Sequence, residues 1–139
     1  MIHRAFVAGV EIVSLDRALI VILAARPVGH LVVAFEGVEK RFGSFVAVQK
    51  MDFEIRKGEF LAIMGPSGCG KTTTLRMLAG LIAPDRGTIR VDGTEITKLP
   101  AHKRNMGYVF QSYALFPHLS VARNVAFGLE ERGVARAEI

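Results

Sequence analysis

The segment GPSGCGKT at residues 65–72 constrains the fold of this chain more than any other feature. It fits the pattern G-x-x-x-x-G-K-[ST], the phosphate-binding P-loop. Glycines let the backbone turn tightly and bring N–H groups close to phosphate oxygens. Lys71 supplies a positive charge for the β- and γ-phosphates, and the hydroxyl of Thr72 can ligate Mg²⁺. The segment therefore predicts a site for a nucleoside triphosphate and its magnesium ion.

The residues on either side of this segment have the pattern that the motif requires. Residues 59–64 form a short apolar run that predicts a buried strand. Residues 73–80 predict a helix with Leu75, Leu78 and Ala79 on its apolar face and Gly80 as its C-cap glycine. In a strand–loop–helix unit the helix N-terminus points its dipole at the phosphates. This context disfavours the alternative, a glycine-rich turn with an incidental lysine.

Length and composition limit the classes of protein that remain. The 139 residues suffice for one modest domain, and 50% of them are hydrophobic, which is enough to build a core. Charged residues make up 22%, which is not typical of a disordered chain. The net charge of +5 comes from scattered Lys and Arg residues without interleaved aromatics. We therefore expect no nucleic-acid partner.

Cysteine and histidine usage points away from disulfides and from a zinc site. Cys69 is the only cysteine, which indicates a reducing compartment and a small-residue role within the loop. A thiol at a helix N-terminus can also have a lowered pKa, so sensitivity to alkylation is the alternative. The four histidines lie far apart, and none has metal-ligand spacing with another histidine or with Cys69.

Residues 1–30 differ from the rest of the chain. Residues 18–25 form an apolar run between Arg17 and Arg26 that is shorter than the roughly 20 residues of a transmembrane helix. Acidic residues interrupt the first half of a possible signal peptide. We expect a strand- or helix-forming extension, or a misplaced translation start, with a boundary at residues 27–29.

Downstream of this boundary the pattern predicts strands, turns and one further helix. Ser120 is the candidate N-cap of that helix, which covers residues 121–131, and Gly133 follows it. Asp92 and Gly93 form a hairpin turn signal. The predicted strands cover residues 31–35, 45–48, 51–55, 88–91 and 108–110, and the predicted turns cover residues 43–44, 57–58 and 84–87.

Three motifs together resemble the ATP-binding subunit of ABC transporters. They are KRFG at residues 40–43, the P-loop with its continuation to residue 76, and VFQSYALFPH at residues 109–118. The resemblance is greatest to importers of spermidine/putrescine, sulfate, ferric iron or maltose-type substrates. It implies an α/β fold, a P-loop NTPase (RecA-like) core with an N-terminal antiparallel β subdomain. Residues 31–139 would form the N-terminal part of the ATP-binding domain, and residues 1–30 would lie outside it.

The resemblance also implies a role for each matching residue. Phe42 would stack on adenine, an interaction of about 1–3 kcal/mol per base, unless it is a core residue beside a turn. Residues 67–72 would wrap the β-phosphate, and Thr73 would reach the α-phosphate. Gln111 would lie near Mg²⁺ and the attacking water, unless it is a solvated residue at a strand end. The predicted nucleotide site comprises Phe42, Gly65, Ser67, Gly68, Cys69, Gly70, Lys71, Thr72 and Thr73, with Lys71 and Gln111 as catalytic residues and Thr72 and Gln111 at the metal.

Partners and location follow from the same resemblance. Residues 112–116, from Ser112 to Phe116, are apolar and aromatic and would meet a cytoplasmic helix of the transmembrane permease. Ordinary burial under the neighbouring helix is the alternative. A second ATP-binding subunit would complete a dimer at the cytoplasmic face of the cell membrane, where the protein would be peripheral.

The family's remaining catalytic motifs would lie beyond Ile139. These are the LSGGQ-like signature, the second acidic motif with its catalytic glutamate, and the switch histidine, so this chain would supply only the P-loop side of a composite site. We expect the complete protein to hydrolyse ATP and this chain alone to do so poorly. One alternative is a truncated nucleotide-binding fragment without turnover. Another is an ABC-type ATPase that acts on nucleic acid, and residues 111–116 disfavour this second alternative. Polyamine is the first hypothesis for the transported substrate.

Overall fold

A computed structural model describes residues 30–112 and 114–139 in full, together with the backbone of three strands nearer the N-terminus. The chain divides into two compact units, Met1–Met106 and Gly107–Ile139. Neither α-helix of the described residues has the length and apolar character needed to cross a membrane.

The first unit contains eight described strands and one α-helix, and the second contains one α-helix. In chain order the elements are β1 (His3–Val7), β2 (Val10–Leu15), β3 (Ala18–Leu23), β4 (Leu31–Phe42), β5 (Phe45–Arg56), β6 (Phe60–Met64), α1 (Lys71–Leu78), β7 (Arg86–Val91), β8 (Thr94–Glu95), a short 3₁₀ helix (Ala101–Lys103) and α2 (Val121–Glu130). The strands form two antiparallel sheets, ordered β1-β2-β3-β6 and β5-β4-β7-β8.

The long hairpin of β4 and β5 is the centre of the second sheet. The predicted turn at residues 43–44 is confirmed, and Phe42 pairs with Phe45 across it. The strands are longer than predicted, since bulges let the ladder continue for twelve residues in each. Residues 51–55, predicted as a half-buried strand, lie within β5, where Met51 and Phe53 are buried and Glu54 is exposed.

The core lies between this hairpin, β7 and α1. Phe35 and Phe53 face each other across the hairpin, with ring centroids 4.4 Å apart and planes at 18°. Such stacked pairs add to the stability that comes from area burial. The buried hydrophobic cluster comprises Val33, Phe35, Val38, Val48, Met51, Phe53, Met77, Ile89 and Ile96. Met77 is the residue through which α1 joins it.

The turn between β7 and β8 follows its sequence signal. Asp92 and Gly93 both have positive φ, 47° and 74°, as a two-residue hairpin of the type I′ class requires. The predicted turn at residues 84–87 ends earlier than expected, because Arg86 already begins β7.

The strand before the P-loop was predicted to be buried, and that prediction is wrong. The side chain of Phe60 is 70% exposed and that of Met64 is 48% exposed. Leu61 and Ile63, on the alternate face, pack against the core. A continuous apolar run therefore forms a strand with only one covered face in the described residues, because side chains alternate between the two faces of a sheet.

Two further predictions need correction. The helix after the P-loop begins at Lys71 rather than at residue 73, and its buried side chains are Thr74 and Met77, whereas Leu75 is 44% exposed. Residues 108–110 form no strand. In the described part of the chain they have no ladder partner, and the rings of Tyr108 and Phe110 contact each other edge to face at 4.7 Å.

Candidate functional site

The P-loop connects β6 to α1, so the predicted order of strand, loop and helix is confirmed. Residues 65–68 are exposed, while Cys69 and Gly70 are half-buried. The N–H of Cys69 donates to the carbonyl oxygen of Pro66 at 3.4 Å and closes the loop. The glycine-rich segment is thus a surface loop at the start of a helix.

The ammonium group of Lys71 lies over this loop. Its Nζ donates to the carbonyl oxygens of Gly65 and Pro66, each at 2.7 Å, and lies 3.4 Å from Sγ of Cys69. The side chain therefore folds back from the first helical position across the loop that precedes it. A phosphate group that approaches the loop would meet this cation, which can exchange two neutral acceptors for charged ones.

The backbone around Lys71 offers donors to an anion. Within the described residues, the N–H groups of Ser67, Gly68 and residues 70–73 donate to no backbone oxygen. The first N–H groups of any helix lack intrahelical acceptors, and the helix dipole places partial positive charge there. The first turn of α1 contains no acidic residue. These features fit a phosphate group and would disfavour a cation.

Gly70 joins the loop to the helix in a position that only glycine can occupy. Its φ is 95°, and a Cβ atom there would run into the carbonyl oxygen of Ala47 on β5. The carbonyl oxygen of Gly70 accepts from the N–H of Thr74 at 2.8 Å and from its hydroxyl at 3.0 Å. These two bonds lie within the first turn of the helix. Thr74 is buried and its hydroxyl oxygen lies 3.8 Å from Sδ of Met51 on β5, so the start of α1 packs closely against that strand.

The other predicted phosphate and metal residues lie in the first turn of α1. Thr72 is exposed and Thr73 is half-buried. The described residues contain no group of three or more His, Cys, Asp or Glu side chains arranged to hold a metal ion.

Phe42 lies at the end of β4, next to the turn at residues 43–44. Its side chain is 50% exposed, so it is not a core residue. The ammonium group of Lys40 stands over the ring, 5.4 Å from the centroid. In the described part of the chain, no hydrogen bond connects residues 42–44 to residues 65–73. The adenine-stacking role of Phe42 stays a prediction.

Asp85 fixes the backbone and the cation beside Phe42. Its Oδ1 accepts from Nζ of Lys40 at 3.0 Å, and its Oδ2 accepts from the N–H of Arg41 at 2.6 Å. Two hydrogen bonds lower the pKa of the Asp85 carboxyl below its ordinary value. The bond from the Arg41 backbone has the largest effect, and the bond from Lys40 has the next largest. Sequence reasoning gave no role to Asp85, because residues 84–87 carried only a turn signal, and it quoted Lys40 only as part of the KRFG motif.

Gln111 lies in the second unit, in an exposed turn at residues 111–112. Its predicted place beside Mg²⁺ and water stays a prediction.

Among residues 112–116, Leu115 is 75% exposed and Phe116 is 41% exposed, while Tyr113 lies outside the described residues. The ring of Phe116 packs on Phe127 of α2 with centroids 4.4 Å apart. The segment thus shows exposed apolar surface at Leu115 and partial burial under the helix at Phe116.

Asn124 on α2 anchors the end of this segment. Its Oδ1 accepts from the N–H of Phe116 at 2.8 Å, and its Nδ2 lies 3.1 Å from the carbonyl oxygens of Phe116, Leu119 and Ser120. The predicted N-cap is confirmed, since the hydroxyl of Ser120 accepts from the N–H of Arg123 at 3.3 Å.

Comparison with known proteins places the P-loop and the residues around it in a family. The sequence profile of the ABC transporter family matches residues 48–139, about two thirds of the chain. The chain belongs to the ABC transporter family.

Relatives in this family include ATP-binding proteins of importers. The chain is 53% identical over 106 residues to the Fe(3+) ions import ATP-binding protein FbpC of Agrobacterium fabrum, an alignment that covers 76% of this chain and 30% of the relative. It is 54% identical over 108 residues to the spermidine/putrescine import ATP-binding protein PotA of Methylococcus capsulatus, covering 78% and 28%. The predicted resemblance to importer ATP-binding subunits is confirmed. The chain spans under a third of the length of these relatives.

Solved structures of ABC cassettes share the fold. The ATP-binding cassette MJ0796, solved as a dimer in a post-hydrolysis state with ADP and Pi, is 30% identical with a TM-score of 0.65, covering 76% of this chain and 51% of that one. A second dimeric structure of the same cassette gives a TM-score of 0.62, covering 70% and 47%. The predicted ABC ATPase fold is confirmed. The predicted division at residues 30 and 31 stays a prediction.

Proposed function

We propose that residues 65–73 bind the triphosphate of Mg·ATP, and that the complete protein hydrolyses ATP to energise an ABC importer. The observation that carries the proposal is the position of the Lys71 ammonium over the loop, beside N–H groups that donate to no backbone oxygen in the described residues. The family and the names of its relatives support this choice of ligand.

Each residue has a physical role in this proposal. Lys71 leaves the carbonyl oxygens of Gly65 and Pro66 and pairs with the β- and γ-phosphates. The N–H groups of residues 67–72 donate to the β-phosphate, and Thr73 reaches the α-phosphate. Thr72 offers its hydroxyl to Mg²⁺, which when bound neutralises charge on the phosphates. Phe42, half-exposed at the end of β4, supplies the surface for adenine.

Turnover requires groups beyond those around the loop. Gln111 is the proposed residue for orienting the attacking water, since an amide can donate and accept at once. The first turn of α1 offers no carboxylate to polarise that water. We therefore expect nucleotide binding and little hydrolysis from the 139-residue chain, with turnover a property of the complete protein.

The proposed partners are a transmembrane permease and a second ATP-binding subunit. The exposed side chain of Leu115, next to the anchored Phe116, supports the permease contact. The dimeric state of the solved cassette MJ0796 supports the second contact. Together they would place the complete protein at the cytoplasmic face of the cell membrane. Polyamine is the first hypothesis for the substrate and is supported by the names of the spermidine/putrescine relatives, and ferric iron is the alternative that the names of the FbpC relatives support.

Thermal unfolding of the 139-residue chain with and without Mg·ATP tests the binding site. A ligand present at 100 times its Kd stabilises the folded state by about 2.7 kcal/mol. We expect this stabilisation in the wild type and its loss in Lys71→Ala. The matched control is Lys57→Ala, which removes an exposed lysine at the turn before β6. Equal ligand-induced shifts in wild type and Lys71→Ala would refute the site.

A phosphate-release assay tests the division between binding and turnover. We expect phosphate release at the buffer rate from the 139-residue chain and well above it from the complete gene product. A complete product that binds Mg·ATP without releasing phosphate would support the alternative of a nucleotide-binding protein without turnover.

A further inference from the structure

Phe42 is held by a connected group of side chains that the proposed function does not use. Lys40 stands over the ring at 5.4 Å, and its ammonium is paired with Asp85 at 3.0 Å. The Lys40 side chain is only 15% exposed, so its charge is partly removed from water. An ammonium over an aromatic face is attracted by the ring quadrupole, and this attraction strengthens on desolvation.

Asp85 also fixes the backbone on which the ring is mounted. Its carboxylate accepts from the N–H of Arg41, the residue before Phe42, at 2.6 Å. Its own N–H donates to the carbonyl oxygen of Glu39 at 2.9 Å. Three hydrogen bonds from one residue thus hold residues 39–41 in a single arrangement, which limits the directions that the next side chain can take.

The two contacts act on the same ring. One sets the backbone that carries Phe42, and the other places a cation over one of its faces. The Phe42 ring is half-exposed and Lys40 stands over one of its faces, so the opposite face is the one on which a flat partner would stack. Side chains that are held in advance lose less conformational entropy on binding, and this improves affinity without a new contact to the ligand.

We propose that Lys40 and Asp85 are positioning residues that orient Phe42 as the platform for the base of the nucleotide. The proposal rests on the proposed nucleotide site. It assigns neither residue to the triphosphate, so their effect belongs to the base and not to the phosphates. This separates the proposal from a general electrostatic role of a lysine near an anionic ligand.

Titration calorimetry with two ligands tests this assignment. Mg·ATP carries base and triphosphate, whereas Mg·tripolyphosphate carries the phosphates alone. For Lys40→Met and Asp85→Asn we expect affinity for Mg·ATP to fall at least two- to fivefold, the lower end of the range for a cation–π contact, which is about 0.5–1 kcal/mol. Affinity for Mg·tripolyphosphate should stay unchanged. Lys50→Met, at an exposed position of β5, is the matched control and should change neither.

Two further variants test whether the change in Mg·ATP affinity depends on the Phe42 ring. Lys40→Arg retains a cation and should keep most of the Mg·ATP affinity, which a general loss of structure would not predict. In the Phe42→Ala background, Lys40→Met should cause no further loss, because coupled residues are not additive. Circular dichroism and thermal unfolding without ligand check that each variant is folded.

Four outcomes would overturn the proposal. Unchanged Mg·ATP affinity in both variants would show that the ring needs no support. An equal loss for Mg·tripolyphosphate would assign Lys40 to the phosphates, and a gain in Mg·ATP affinity would make it a competitor of the base. If the wild type binds neither ligand, the proposed nucleotide site fails and this assignment fails with it. If the wild type binds both and the variants match it, only the positioning role fails.

Discussion

The guanidinium of Arg104 donates from Nη1 to the backbone carbonyl oxygen of Met77 at 2.7 Å. The same nitrogen donates to the carbonyl oxygen of Leu78 at 2.8 Å, so it satisfies two carbonyls in the last turn of α1. Nε donates to Leu99 at 2.8 Å, and Nη2 donates to Thr97 at 3.2 Å. One buried side chain therefore joins the end of the P-loop helix to residues 97–99. Burial lowers the pKa of Arg104 below its ordinary value, but arginine keeps its charge in proteins.

Loss of this guanidinium should destabilise the first unit. We expect Arg104→Met to lower the free energy of unfolding by roughly 2–4 kcal/mol, because it leaves carbonyl oxygens without a partner in a buried setting. Urea unfolding of wild type and variant measures the difference. Arg56→Met is the matched control, since Arg56 is exposed and its ion pair with Glu54 is long at 3.9 Å. Equal midpoints for the two variants would contradict a structural role for the Arg104 contacts.

Substitution of Gly70 should lower the stability of the fold even when no ligand is present. We expect Gly70→Ala to lower stability without ligand by about 1–3 kcal/mol from backbone strain alone, and further because its Cβ meets the Ala47 carbonyl. Gly68→Ala is the comparison, since Gly68 also has a positive φ, 81°, but its Cβ would meet nothing within 4 Å. Thermal unfolding without nucleotide should rank Gly70→Ala below Gly68→Ala. The reverse order would show that the loop does not pack against β5 as described.

Some of these features were predictable from sequence and others were not. The P-loop residues 65–72, the cap at Ser120 and the turn at Asp92 are local, so the pattern of a few neighbouring residues specifies them. The contacts of Arg104 with Met77 and of Asp85 with Lys40 connect residues that are 27 and 45 positions apart. No local pattern marks such a pair, because each partner is an ordinary charged or apolar residue within its own segment.

The two incorrect strand predictions have a related cause. Burial of β6 depends on what covers its second face, and an apolar run by itself does not show that. Residues 108–110 have strand-forming side chains, but a strand also needs a hydrogen-bonded neighbour, which the described residues do not supply. The stacking role of Phe42 was predicted from a family motif, whereas the contacts of Lys40 with the Phe42 ring and with Asp85 are visible only in three dimensions.

Acid should weaken the contribution of Asp85 to stability. Hydrogen bonds from the Arg41 backbone and from Lys40, with the positive charges of both side chains, lower its pKa below the ordinary 3.8 in the folded state. A lowered pKa means that the carboxylate stabilises the fold above 3.8 and that this stabilisation is lost as pH falls through the folded pKa. Urea unfolding should show wild type more stable than Asp85→Asn at pH 7, with the difference shrinking below about pH 4. A difference that stays constant into acid would show that the pair does not act through charge.

Removal of the Asn124 amide should release the segment that we propose as the permease contact. Asn124→Ala removes an acceptor for the N–H of Phe116 and a donor that lies near the carbonyl oxygens of Phe116, Leu119 and Ser120. We expect hydrogen exchange at the Phe116 amide to accelerate about five- to tenfold, since a hydrogen bond contributes about 1 kcal/mol net. Arg123→Ala, the neighbouring exposed position on α2, should leave this rate unchanged. Asn124→Asp keeps the acceptor and loses the donor, so its exchange rate should lie between those of wild type and Asn124→Ala. Protection that survives in Asn124→Ala would mean that packing of Phe116 on Phe127 alone holds the segment in place.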